Sequence, residues 1–301
     1  MTADSAQRQQ IPTRGILFML ATSIVVFPVL NSSVKYLAED YSLVQIIWVR
    51  SIVHFLWMVV LFMPAMGWQL FATKRFGLQL TRSLLQLVAL IAFVIGLMFI
   101  PITTVTAIYF TGPLMVVALA VPLLGERVGM RRWLAVLVGF IGALVIIRPG
   151  FEGTHWAALS IIASALFYAI FQILTRRVAD HDDYRVTSVY TIVVALVVSS
   201  AAVPFFWETP IGWIDWLIFG GLDILGGLGH LFIVKAYTHA RASVVGPFDY
   251  GQLIGVTIVG YLVFSEFPDL WTWIGAGIVI SSGVYVAHRE RRANALAGEE
   301  A

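Results

Sequence analysis

Ten apolar runs succeed one another along the chain, separated by short breaks carrying charge, proline or glycine. They span approximately Gly15–Tyr36, Val44–Pro64, Leu80–Ile100, Ile102–Leu124, Trp133–Ile147, Trp156–Val178, Val186–Phe206, Trp213–Lys235, Val244–Phe264 and Leu270–Ala287. Most are close to the roughly 20 residues an α-helix needs to cross a bilayer core. The breaks hold Pro64, Lys74-Arg75, Pro101, Gly125-Glu126-Arg127, Arg148-Pro149-Gly150, the Asp180-to-Arg185 run, Pro210 and Pro268-Asp269. The break at Pro101 is so tight that it predicts a helical hairpin with almost no loop. Arg8 and Arg14 precede the first run, as in a secretion signal. Nine further runs follow and the first contains Asn31 and Lys35, so it reads as a retained span.

Composition sharpens the class. Of 301 residues 59% are apolar and 12% charged, against about 45–50% and about 25% in soluble domains. So few charges cannot cover a soluble globule, which excludes a soluble enzyme, a disordered chain and a nucleic-acid-binding module. A net charge of +2 is too small to attract polyanions. Without cysteine there is no disulfide, thiolate metal site or cysteine nucleophile. The expected class is an all-α polytopic membrane protein.

The basic residues set an orientation. With the N-terminus inside, 16 of 19 Lys and Arg fall on the cytoplasmic side, Arg82 among them. Only Lys35 and Arg148 fall outside, and Arg50 lies within a span. This bias follows the positive-inside rule and places both termini in the cytoplasm of a cell with an inner (plasma) membrane.

The chain also repeats itself at about 140 residues. Gly125-Glu126 and Trp133 correspond to Ser265-Glu266 and Trp273, and Lys35 corresponds to Arg177 at an offset of 142. Five spans is an odd number, so the second half enters the membrane from the opposite side. Ten helices in two inverted five-helix repeats is a secondary-transporter plan, with the substrate near the midplane between the halves. The organisation expected is a tail over 1–14, repeats over 15–150 and 151–288, and a second tail over 289–301.

The stretch Pro101-Ile-Thr-Thr-Val-Thr-Ala-Ile-Tyr-Phe-Thr-Gly-Pro-Leu, then Leu124-Gly-Glu-Arg-Val-Gly-Met-Arg-Arg-Trp, Gly139-Phe-Ile-Gly and Arg148-Pro-Gly, closely resembles the EamA branch of the drug/metabolite transporter superfamily. The resemblance covers nearly the whole chain, although Ser265 stands where the pattern has glycine. It implies carriage of amino acids, drugs, vitamins such as riboflavin, S-adenosylmethionine or sugar derivatives, with a riboflavin-like vitamin the leading single substrate. It implies no cofactor.

Ionisable residues in a span cost at least about 2.5–3.5 kcal/mol and usually face the bundle interior. Arg50 and His54, four apart on the second span, suit an anion clamp. Asp223 and His230 share a face of the glycine-rich eighth span, where Gly226 and Gly227 are expected to loosen the helix. Asp249 follows Gly246-Pro247 in the ninth span, and Tyr109 precedes Gly112-Pro113 in the fourth; paired helix breaks point to a transport site. Asp223 and Asp249 are the proton-coupling candidates. Asn31, Gln86, Gln172 and Gln252 are lesser candidates for binding substrate. Lys35 and Lys235 sit near span ends and are expected to snorkel. Glu126 reads as an interfacial ion pair, and Gly251 and Gly255 as a close-packing face. The fifth and tenth spans, free of charge and amide, are expected at the periphery. The Asp180–Asp183 run reads as a solvated loop rather than a metal site. The alternative reading is a membrane-embedded lipid-modifying transferase. That would need clustered acids or histidines near one membrane face, and only that short run offers any. The partners expected are a small-molecule substrate and the lipid bilayer, without nucleic acid; the sequence leaves a homodimer open.

Overall fold

The computed structural model describes residues 13–126, 128–150, 155–179, 181–240 and 242–299. Most of the N-terminal tail, Arg127 and Asp180 therefore lie outside the described residues. Ten helices are long and apolar enough to cross a membrane: α1 Thr13–Asp40, α2 Leu43–Phe71, α3 Phe76–Phe99, α4 Ile102–Leu124, α5 Met130–Ile147, α6 Ala157–Ala179, α7 Tyr184–Phe205, α8 Trp213–His239, α9 Gly246–Phe264 and α10 Leu270–Arg289. Two residues separate α3 from α4, as the position of Pro101 predicts.

The halves interlock in an inverted pattern. α1 packs on α8 and α9, and its counterpart α6 packs on α3 and α4. Close approach depends on small residues. Gly251 lies on the Ser23 and Ile24 side chains of α1, and Gly255 on Ile24 and Pro28, where a Cβ would collide with the Ile24 carbonyl. α5 and α10 pair chiefly with each other: a Cβ on Gly142 would come within 2.9 Å of the Gly275 carbonyl. The remaining faces of α5 expose Leu134, Leu137, Val138, Ile141 and Leu144, an apolar surface suited to lipid.

Five spans depart from regular α-helix, of which α2 and α7 merely close on 3-10 turns, Gly67–Phe71 and Val203–Phe205. α1 contains a π-helical turn, Ala21–Val26, just before Pro28. Proline lacks an N–H and its ring crowds the carbonyl four residues back, and a widened turn absorbs that clash. α4 divides into Ile102–Tyr109 and Gly112–Leu124. α9 opens with a 3-10 turn, Gly246–Gly251, before the α-helix of Gln252–Phe264.

α8 corrects the expectation of a broken helix, because it runs unbroken from Trp213 to His239 through Gly226 and Gly227. Its glycines serve packing instead. A Cβ on Gly227 would sit 3.1 Å from the Trp57 indole nitrogen, and one on Gly229 2.7 Å from the Phe27 ring. The missing side chains let α2 and α1 lie directly against α8.

The loop between α6 and α7 is equally well held. Asp182 accepts hydrogen bonds from Thr73 Oγ1 at 2.5 Å, the Lys74 amide at 2.9 Å and Gln79 Nε2 at 3.0 Å. Burial alone would raise its pKa, but these three donors outweigh it and hold the carboxyl below its usual range. Asp183 caps α7 and pairs with Arg185, whose hydrogen bonds bring its pKa to about 2.

Candidate functional site

Two groups of residues lie within the spans between the repeats. The first is charged. Asp223 of α8 is buried, with its Oδ2 3.2 Å from His54 Nδ1 and its Oδ1 3.8 Å from Arg50 Nε. Residues four apart on α2 thus straddle one carboxylate on α8. The Arg50–His54 face reads from the sequence as a clamp for an anion or carboxylate, and in this structure the Asp223 carboxylate lies against it. Asp223 is thus a paired acid. The Arg50 contact is longer than a hydrogen bond, and no conventional hydrogen bond among the described residues reaches Asp223 Oδ2. His230, two turns along α8, is exposed and sets its ring against Phe27 edge-on, with centroids 6.2 Å apart.

The second group is aromatic and acidic. Tyr109, at the α4 break, packs edge-on against Phe93 at 5.1 Å and tilted against Tyr168 at 5.9 Å. Tyr168 stacks on Phe171 at 5.5 Å. Asp249 lies in the 3-10 turn of α9, half-buried, near enough to Tyr168, Tyr237 and Tyr250 to interact electrostatically. Its carboxylate has no ion pair or hydrogen bond with any described residue. Tyr250 packs edge-on against Phe110 at 4.9 Å. A proline-broken helix supplies the acid and the equivalent break in the other repeat supplies the tyrosine.

The amides divide. Gln86 has its Oε1 buried with no partner among the described residues, and Asn31 and Gln252 are half-buried. Gln172 is exposed on α6, beside inward-facing Phe171 and Ile173, which sets it apart from the buried face of that helix.

Two strong interactions escaped the sequence reading. Arg82 is 1% exposed, far from a cytoplasmic surface charge. It donates to Thr175 Oγ1 at 3.1 Å and Thr191 Oγ1 at 2.8 Å, also to the Thr187 carbonyl, and lies 5.0 Å from the Phe171 ring centroid. A window of average hydropathy cannot see this, because the acceptors come from α6 and α7. Lys35 does not snorkel either. It is 7% exposed and pairs with Glu266 at 2.6 Å. Lys235 is exposed and reaches over the Phe18 ring. Glu126 does form an interfacial pair, with Arg176 at 2.7 Å.

An inverted-repeat bundle of ten apolar helices, with acids and bases gathered inside the spans, defines a multi-pass membrane transporter of small molecules. The chain belongs to the EamA-like transporter family, whose sequence model matches residues 13–148 and 155–287. It is 29% identical over 286 residues to the riboflavin transporter of Vibrio cholerae serotype O1, covering 93% of this chain and 95% of that one. It is 31% identical over 224 residues to the S-adenosylmethionine uptake transporter of Rickettsia felis, covering 73% and 75%. A protein of known crystal structure shares the fold with a TM-score of 0.59 at 15% identity, over 97% of this chain and 99% of that one. The family and these relatives are transporters rather than enzymes.

Proposed function

We propose that the chain is a secondary transporter that moves a planar organic metabolite, riboflavin first among candidates, across the inner membrane by alternating access. Both termini are then cytoplasmic. The observation that carries the reading is Asp249, whose carboxylate has no ionic partner among the described residues, held in a helix break beside Tyr250 and near enough to Tyr168 and Tyr237 to act on them electrostatically. Ring stacking suits an isoalloxazine-like plane. A lone acid in a span is costly when charged, so its protonation can bias which side opens. Asp223, already paired with Arg50 and His54, acts instead as a fixed charge centre between α2 and α8. The likeness to the riboflavin transporter of Vibrio cholerae over nearly the whole chain supports the substrate.

One feature favours a second substrate. A carboxylate among aromatic rings suits an organic cation, and S-adenosylmethionine is a sulfonium. Uptake and efflux of labelled riboflavin and S-adenosylmethionine, in cells lacking native carriers, separate the two. Riboflavin flux dependent on this chain is the expected result; flux of the sulfonium alone transfers the site to the second reading. Loss of labelled substrate into a modified product would instead support the transferase.

A further inference from the structure

At the end of the bundle where α9 terminates, two ion pairs join the repeats: an exposed one between Arg148 and Asp269 at the peripheral α5 and α10, and a more buried one, Lys35–Glu266, between the central helices. Lys35, near the end of α1, donates to Glu266 Oε1 at 2.6 Å and to the Ile100 carbonyl at 3.2 Å. Glu266 Oε2 accepts from the Ile102 amide at 3.2 Å, capping α4. The ammonium also lies 5.1 Å from the Phe264 ring centroid. Two side chains thus bind α1 and the α3–α4 hairpin of the first repeat to the end of α9 in the second. Side-chain exposure is 9% for Lys35 and 24% for Glu266.

The opposite end carries the symmetry counterpart. Glu126 ends α4 as Glu266 ends α9, and the Arg176-Arg177 pair ends α6 where Lys35 nears the end of α1. Arg176 pairs with Glu126 at 2.7 Å, and Arg177 donates to the Leu123 carbonyl. Here side-chain exposure is 72% and 40%. The equivalent contacts therefore differ in burial. An exposed pair contributes little, whereas a buried pair leaves an uncompensated charge when broken and behaves as a two-state element.

We infer that Lys35 and Glu266 form the outer gate of the carrier: their pair closes the path between α1, the α3–α4 hairpin and α9, and it parts each time the path opens outward. The inference rests on the transporter reading and its orientation. Closure of that end requires the ammonium, the carboxylate and the two hairpin backbone groups together. Opening lets water replace all of them at once. The Glu126–Arg176 pair, already wet, holds the inner end loosely.

Thr103 supplies a reporter. It lies one residue beyond Ile102, is 1% exposed, and its hydroxyl oxygen has no partner among the described residues. The chain has no cysteine, so Thr103→Cys is its sole thiol. The experiment measures modification of Thr103→Cys by a charged, water-soluble methanethiosulfonate in purified full-length protein, which needs neither a known substrate nor an orientation. Slow labelling is expected with the pair intact, rising by at least about tenfold in Lys35→Met and Glu266→Gln backgrounds as the open population grows. Glu266→Gln keeps the size and the acceptor for the Ile102 amide, so it guards against a folding defect. Unchanged labelling in either monodisperse variant overturns the gate. Separately, Lys35→Cys/Glu266→Cys bridged by a short bis-methanethiosulfonate should stop transport, and reducing agent should restore it. Transport that continues with the bridge in place overturns the gate as well. Absence of flux in the unbridged protein, with labelling behaving as expected, removes the transporter reading and leaves a conformational latch.

Discussion

The carboxylate of Asp223 lies 3.2 Å from Nδ1 of His54, with Nε of Arg50 3.8 Å from its other oxygen. Neutralising the acid strands a guanidinium inside the bundle. Asp223→Asn should therefore lower stability by about 3–5 kcal/mol, the usual effect of removing one partner from a buried pair. Replacing both Arg50 and Asp223 by glutamine and asparagine should recover most of that loss. Thermal unfolding followed by size-exclusion fluorescence checks the cycle, and equal melting of single and double variants would show the pair is not coupled.

Asp249 should behave in the opposite way. It has no partner to strand, so Asp249→Asn should leave the amount of folded protein near wild type. It should abolish accumulation driven by a pH gradient while sparing equilibrative exchange. Proteoliposome flux with and without the gradient, normalised to protein, distinguishes these effects. Full gradient-driven accumulation by the variant would remove Asp249 from the coupling role.

Much of the architecture could be read from apolar run length, because a bilayer demands about 20 apolar residues whatever their partners. The hairpin at Pro101 was legible because a proline is all that separates the third apolar run from the fourth. The inverted repeat was legible in Glu126 and Glu266, which recur in register. Pairings across the bundle were not. Lys35 looks like a snorkelling lysine until Glu266, 231 residues away, is brought beside it. Arg82 looks like a cytoplasmic charge until α6 and α7 supply its threonines. The α8 glycines showed how the same signal serves two ends: a residue that weakens a helix also allows Trp57 and Phe27 to approach it. Which use prevails depends on the neighbour, and neighbours are set by packing.

Asp182 offers a pH test outside the spans. Its pKa is depressed in the folded chain, so its contribution to stability is complete at neutral pH. That contribution fades as pH falls through the folded value, below the ordinary 3.8. Asp182→Asn should melt earlier than wild type near pH 7. The gap should narrow on acidification below about pH 4. A gap that stays constant across that range would mean the charged form is not what Thr73, Lys74 and Gln79 hold.

Orientation follows from the distribution of basic residues. Reporter fusions after Ala297 should give a cytoplasmic signal, and fusions within Phe151–Thr154 an external one. A cytoplasmic signal at the second site would invert the assignment of outer and inner gates.

The most direct test of the account is flux of labelled riboflavin into proteoliposomes holding the purified chain and no other protein. The account predicts saturable uptake above protein-free vesicles, raised by an imposed pH gradient, with the recovered flavin chemically unchanged. Uptake no faster than in empty vesicles, from protein that is folded and monodisperse, would contradict it.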